Sequence, residues 1–88
     1  MNEKLVGTIT VEMNKYICNE EDYEWFTYRE TDKSFIKRVA DTFGFDSKRI
    51  ILKGDQMHYS DGLCYEAVIT VCGFDYEVNL QKNTIFKW

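Results

Sequence analysis

His58, Cys18, Cys64 and Cys72 are the side chains whose soft nitrogen and sulfur donors suit transition metals. Structural zinc needs four ligands converging on one point, commonly as closely spaced Cys or His pairs. The chain has no Cys-x-x-Cys and no His-x-x-x-His. On one strand, Cys64 and Cys72 would stand roughly 26 Å apart at about 3.3 Å per residue. A disulfide tolerates only about 4.4–6.8 Å between Cα atoms. Reduced thiols, packed or half exposed, are therefore expected, and no metal.

His58 and Ser60 lie two residues apart and could share a face. A nucleophilic serine would also need an orienting acid and an oxyanion hole, and neither has a signature here. Gly-x-Ser-x-Gly is absent, as are both glycine-rich phosphate loops. Glu20 and Asp22 could do acid–base chemistry only if burial moved one of them, which so hydrophilic a cluster disfavours. No catalytic residue and no cofactor is expected. Lys33, Lys37, Arg38, Lys48, Arg49 and Lys53 form a basic zone, but a net charge of −4 argues against a nucleic-acid partner. A solvated basic helix face is the preferred account.

Charge is uneven along the chain. Residues 1–32 carry eight acids against three bases, while residues 33–88 carry seven against eight. Within the acidic third lies Glu20-Glu21-Asp22-Tyr23-Glu24-Trp25-Phe26-Thr27-Tyr28. Acids attract a basic partner at long range, and Tyr and Trp are common anchors at interface centres. Glu20, Glu21, Asp22, Tyr23, Glu24, Trp25 and Tyr28 are therefore the candidate partner-binding residues. A core-forming strand with an acidic outer side is the alternative reading.

Around this segment the periodicities define the elements. Phe35, Ile36, Val39, Ala40 and Phe43 make one apolar stripe at helical spacing, predicting a helix over about 32–43. Lys33, Lys37, Arg38 and Asp41 then take the other side. Asp32 or Thr31 suits the N-cap, and Gly44 suits the left-handed C-terminal position with Phe45 folding back. Residues 4–13 alternate as a strand. Residues 19–30 allow a helix beginning at Asn19 or a strand at about 24–29, and the aromatic run favours the strand.

Beyond the helix, Asp61-Gly62 suits a type I′ hairpin pairing Leu52 with Val71 and His58 with Tyr65. Gly73-Phe74 suits a type II′ turn pairing Val71 with Tyr76, Ile69 with Val78 and Ala67 with Leu80. Both registers put Tyr65, Ile69, Val71 and Val78 on the face that receives the helix. Ile51, Met57, Tyr59, Val68 and Cys72 would then project from the opposite face, which a partner, a second copy or residues 1–30 could cover. A turn at Lys82-Asn83 leads to a last strand, Ile85 to Trp88. The expected class is α+β: one amphipathic helix on a twisted antiparallel sheet, in the order β-β-α-β-β-β-β.

Over residues 32–88 this layout resembles the PepSY domain. The match rests on the helix ending in Gly44-Phe45, Asp61-Gly62 followed by Tyr65-Glu66, and Gly73 followed by Tyr76-Glu77-Val78 and the Gln81-Lys82-Asn83 turn. That resemblance implies an extracytoplasmic regulator or inhibitor of a peptidase. The chain departs from the pattern in its acidic N-terminal third and in having Thr84 where a glycine is usual.

Eighty-eight residues suit a single domain over 1–88, and 44% apolar with 16% aromatic residues makes it a globular one. No apolar run approaches the roughly 18–20 residues that span a bilayer. The N-terminus lacks a secretory pattern, so a cytoplasmic location with no membrane partner is expected. The leading reading is a non-enzymatic protein-binding module, an inhibitor or adaptor that docks on a basic protein surface. Phage and mobile-element anti-defence inhibitors, anti-CRISPR proteins among them, share its small size and acidity. The PepSY-like regulator is the second reading and a homodimer the third.

Overall fold

The computed structural model describes residues 2–6 and 9–88, with backbone alone for residues 2–6 and 9. Strands β1 (Asn2–Val6), β2 (Ile9–Glu20) and β3 (Tyr23–Glu30) precede helix α1 (Asp32–Phe43). A 3-10 turn at Ser47–Arg49 leads into β4 (Ile50–His58), β5 (Cys64–Val71), β6 (Phe74–Asn79) and β7 (Thr84–Lys87). The α+β class holds, and the expected strand order runs from β2 onward with the short β1 in front. The strands divide between two antiparallel sheets, β1-β2-β3 and β4-β5-β6-β7. The strand expected at 4–13 is thus split between β1 and β2, with residues 7 and 8 outside the described set. The side-chain alternation expected there from Leu5 to Ile9 also lies outside it.

Helix α1 occupies the expected span because its apolar stripe and both ends agree. Thr31, not Asp32, is the N-cap: its side chain accepts from the Ser34 amide at 3.1 Å, leaving Asp32 in the first turn beside the positive end of the dipole. Gly44 closes the helix at φ 79°, and its amide returns to the Ala40 carbonyl. Phe35 and Val39 pack on Ile50, Ala67, Ile69, Val71 and Val78, which form the main core. Among the described residues, no helix is long and apolar enough to cross a membrane.

The β5–β6 register differs from expectation by two residues, and the β4–β5 register does so over Ile50–Lys53, whereas Met57 meets Glu66 in the expected register and His58 meets Cys64 rather than Tyr65. Leu52 pairs with Ile69 rather than Val71, because an irregularity between Lys53 and Met57 takes up extra chain. Gly54 sits there at φ 78°, a conformation that favours glycine. The loop beyond is Ser60-Asp61-Gly62, with the Gly62 amide on the Tyr59 carbonyl and only Gly62 at positive φ. That is a three-residue connection, not type I′. Likewise Ala67 pairs with Val78 and Ile69 with Tyr76, so Cys72 and Gly73 are the central turn residues, at φ 50° and 85°. Their two positive φ values are those of a type I′ turn. An even slip keeps side chains on their faces, so Ile69, Val71 and Val78 face the helix as expected, whereas the one-residue shift at His58 brings Cys64 into the core and leaves Tyr65 packed against it.

Arg38 corrects the reading of the helix's outer side. It is buried, and Nη1 donates to Glu30 Oε1 at 2.6 Å and to the Cys64 carbonyl at 3.2 Å. The Glu30 carboxylate also accepts from Ser34 Oγ at 2.7 Å and from the Cys64 amide at 3.0 Å. This network joins the end of β3, the helix and β5 where the two sheets meet. Gly62 tightens the same junction. Its carbonyl accepts from the Glu30 amide, and an ideal Cβ there would lie 2.3 Å from the Tyr28 carbonyl oxygen.

Candidate functional site

Beyond that junction, β2 and β3 continue as a two-stranded ribbon, contributing to a molecule 44 Å long and 27 × 23 Å across. Tyr16 pairs with Thr27, Ile17 with Phe26, Cys18 with Trp25 and Glu20 with Tyr23. Residues 19–30 thus hold a strand, not a helix beginning at Asn19. Glu21-Asp22 makes the turn, with Glu21 at φ 46°, a conformation uncommon for glutamate.

Alternation divides the ribbon into two faces. One carries Lys15, Ile17, Phe26 and Tyr28, and runs inward to buried Val11 and Met13, which pack with Leu63. Lys15 Nζ lies 4.3 Å from the Phe26 ring centre, and the Phe26 and Tyr28 rings meet edge to face at 5.8 Å. The other face carries Tyr16, Cys18, Tyr23 and Trp25. There Tyr23 stacks on Trp25 at 5.3 Å, and the Arg29 guanidinium lies 4.1 Å from the Tyr16 ring centre.

The candidate residues therefore share one hairpin but not one face. Glu20, Tyr23 and Trp25 stand on the second face, Glu24 and Tyr28 on the first, and Glu21 and Asp22 at the tip between them. Solvent reaches 66% of Tyr23, 57% of Ile17 and 55% of Phe26. A two-stranded ribbon has no third layer to bury such groups. Tyr16 and Ile17 lie outside the acidic–aromatic run 20–28 and join it only through strand pairing. The available signal was the β-favouring run Tyr16-Ile17-Cys18, separated from the aromatic run 23–28 by an acidic turn.

His58 Nε2 lies 3.4 Å from the Glu30 carbonyl, placed to donate to it, while Ser60 is in the exposed loop. Cys64 is buried, Cys72 exposed and Cys18 half-buried, and all three are free thiols. Among the described residues, no group of three or more His, Cys, Asp or Glu side chains could hold a metal ion. Burial, reinforced by the nearby Glu30 carboxylate, pushes the Cys64 thiol up to about 12.

The sheet face away from the helix carries polar pairs among its apolar groups. Ile51, Met57 and Phe86 are exposed on it, while Lys53 donates to Asp75 at 2.7 Å, Thr70 to Asp75 at 2.7 Å and Asn79 to Glu66 at 2.7 Å. Cys72 leaves this face for the turn. Tyr59 instead meets the Tyr65 ring at 4.5 Å and donates its hydroxyl to Gln81. Of residues 10–30, only Arg29 lines the open concavity over this face.

No family model, curated protein or solved structure matches this chain.

Proposed function

We propose that this protein is a non-enzymatic protein-binding module that docks on a basic surface through the β2–β3 ribbon. The observation that carries the reading is the joint placement of four acids at or beside the tip and large exposed rings on the ribbon behind it. Tip carboxylates steer an oppositely charged surface over about a Debye length of 8 Å in physiological salt. The rings then supply apolar area that is already ordered, so little side-chain entropy is lost on docking. Such a module would act as an inhibitor or adaptor, holding its partner through this ribbon.

The test is affinity capture from the native host with the full chain. Replacing Glu20, Glu21, Asp22 and Glu24 by lysine is expected to abolish capture of the partner that wild type retains at low salt. Lys33→Glu with Lys37→Glu, on the helix, is expected to leave capture unchanged. Equal capture by the tip variant and wild type would contradict the proposal.

A further inference from the structure

The ribbon has a second feature, which concerns its edge rather than its faces. The Glu30 amide points out of the sheet to Gly62, while the Thr31 amide points across to the Glu12 carbonyl. Successive residues of a strand alternate in this direction. On β2, residues 12, 14, 16, 18 and 20 therefore bond toward β3, and Lys15, Ile17 and Asn19 turn their N–H and C=O groups outward. β1 covers that outer edge only from Ile9 to Met13. From Asn14 to Glu20 no described strand lies along it, and the segment contains no proline or glycine. Apart from Lys15, the usual devices that protect an edge are missing.

We propose that two copies of this chain pair antiparallel through this edge, about a two-fold axis at Ile17, to make a continuous four-stranded ribbon. The register follows from counting partners. With the axis at Ile17, Ile17 meets Ile17 of the second copy and Lys15 meets Asn19 twice, so all the outward groups are satisfied. An axis at Tyr16 would pair Asn19 with Met13, whose edge β1 already occupies. An axis at Cys18 would pair Lys15 with Glu21, in the turn.

Length and charge fit the same choice. Glu20 of the second copy, the last residue of its β2, falls opposite Asn14, one position beyond the start of β1. The Asn14 side-chain amide can donate to that carboxylate. The two acidic tips point to opposite ends, so like charges are not brought together. Ile17 and Phe26 of both copies become one apolar row on one face. On the other, Trp25, Cys18, Tyr16 and Thr27 form a row across the four strands. Because the pairing uses backbone groups, it goes beyond whatever the tip acids bind.

The test is sedimentation equilibrium of the reduced full chain from about 1 μM to 1 mM. Wild type is expected to pass from one chain to two with rising concentration. Ile17→Pro removes an outward N–H without touching the ladder to β3. It is expected to keep its circular dichroism spectrum and to weaken the dimer at least about tenfold. As a second readout, Tyr16→Cys places a thiol opposite Cys18 of the second copy, at a closely spaced pair. With Cys72→Asn also present, oxidation of this variant is expected to give a dimer linked between positions 16 and 18. A monomer across the whole range, a dimer untouched by Ile17→Pro, or an oxidised wild type linked Cys18 to Cys18 would each overturn the proposal.

Discussion

Arg38 on the helix and Glu30 at the end of β3 are held 2.6 Å apart with both side chains withdrawn from water. The pair is the centre of the junction that fixes the ribbon on the core. Glu30 satisfies a hydroxyl, a guanidinium and a backbone amide at once, and Arg38 reaches the Cys64 carbonyl as well. A buried ion pair need not stabilise a fold relative to apolar residues of the same shape, but removing one partner strands a charge.

Arg38→Ala is therefore expected to lower stability by about 3–5 kcal/mol, read from urea unfolding midpoints. Glu30→Ala is expected to cost more, because it leaves the Cys64 amide and the Ser34 hydroxyl without their acceptor as well as the guanidinium. Equal midpoints for wild type and either variant would contradict this account of the junction.

Two glycines at similar positive φ separate strain from crowding. Around Gly44, at φ 79°, an added Cβ meets nothing within 4 Å, whereas at Gly62 it meets the Tyr28 carbonyl. Gly44→Ala is expected to cost about 1 kcal/mol, the strain of the left-handed conformation alone. Gly62→Ala should cost more than about 2 kcal/mol, because a backbone atom must move. Thermal unfolding of the two variants makes the comparison.

The cysteines should divide by reactivity. At neutral pH, brief alkylation of the native protein is expected to modify Cys72 and Cys18 but spare Cys64, whose buried thiol titrates only near 12. Mass spectrometry after alkylation in denaturant should show all three. The linked stability effect has a definite sign. Because folding raises this pKa, its contribution is complete below the ordinary value of 9.0 and is lost as pH rises toward about 12. Cys64→Ala should therefore flatten the alkaline limb of the stability profile, read from urea midpoints between those limits.

Asp75 gives the opposite case. The Lys53 ammonium and the Thr70 hydroxyl, which both donate to it, hold its carboxyl below the usual value. Its contribution is present above the unfolded pKa and lost as pH falls through the folded one. Asp75→Asn should remove that small acid-side dependence, and an unchanged acid limb in urea titrations would contradict it.

What could be read in the sequence was periodicity. The stripe from Phe35 to Phe43 and its flanking Thr31 and Gly44 gave the helix, and the alternation of Ala67, Ile69 and Val71 gave the buried face of β5. Arg38 could not be read this way, since its partner Glu30 lies on another element and only the folded junction brings them together. The hairpin registers slipped because the irregularity at Gly54 and the turn at Cys72-Gly73 depend on backbone conformations that composition does not reveal. In the ribbon, the acids and rings were visible as a segment. Their division between two faces required the Glu21-Asp22 turn, which uses a conformation glutamate seldom adopts.

The most direct measurement of the docking account is site-specific photo-crosslinking in the native host, with a photoreactive phenylalanine analogue replacing Tyr23 or Phe26. The account predicts crosslinks from both ribbon positions to one common partner, reduced by raised salt or by the tip lysine substitutions. The same analogue at Ile51, exposed on the four-stranded sheet, should not capture that partner. Crosslinking from Ile51 with none from Tyr23 or Phe26 would contradict it.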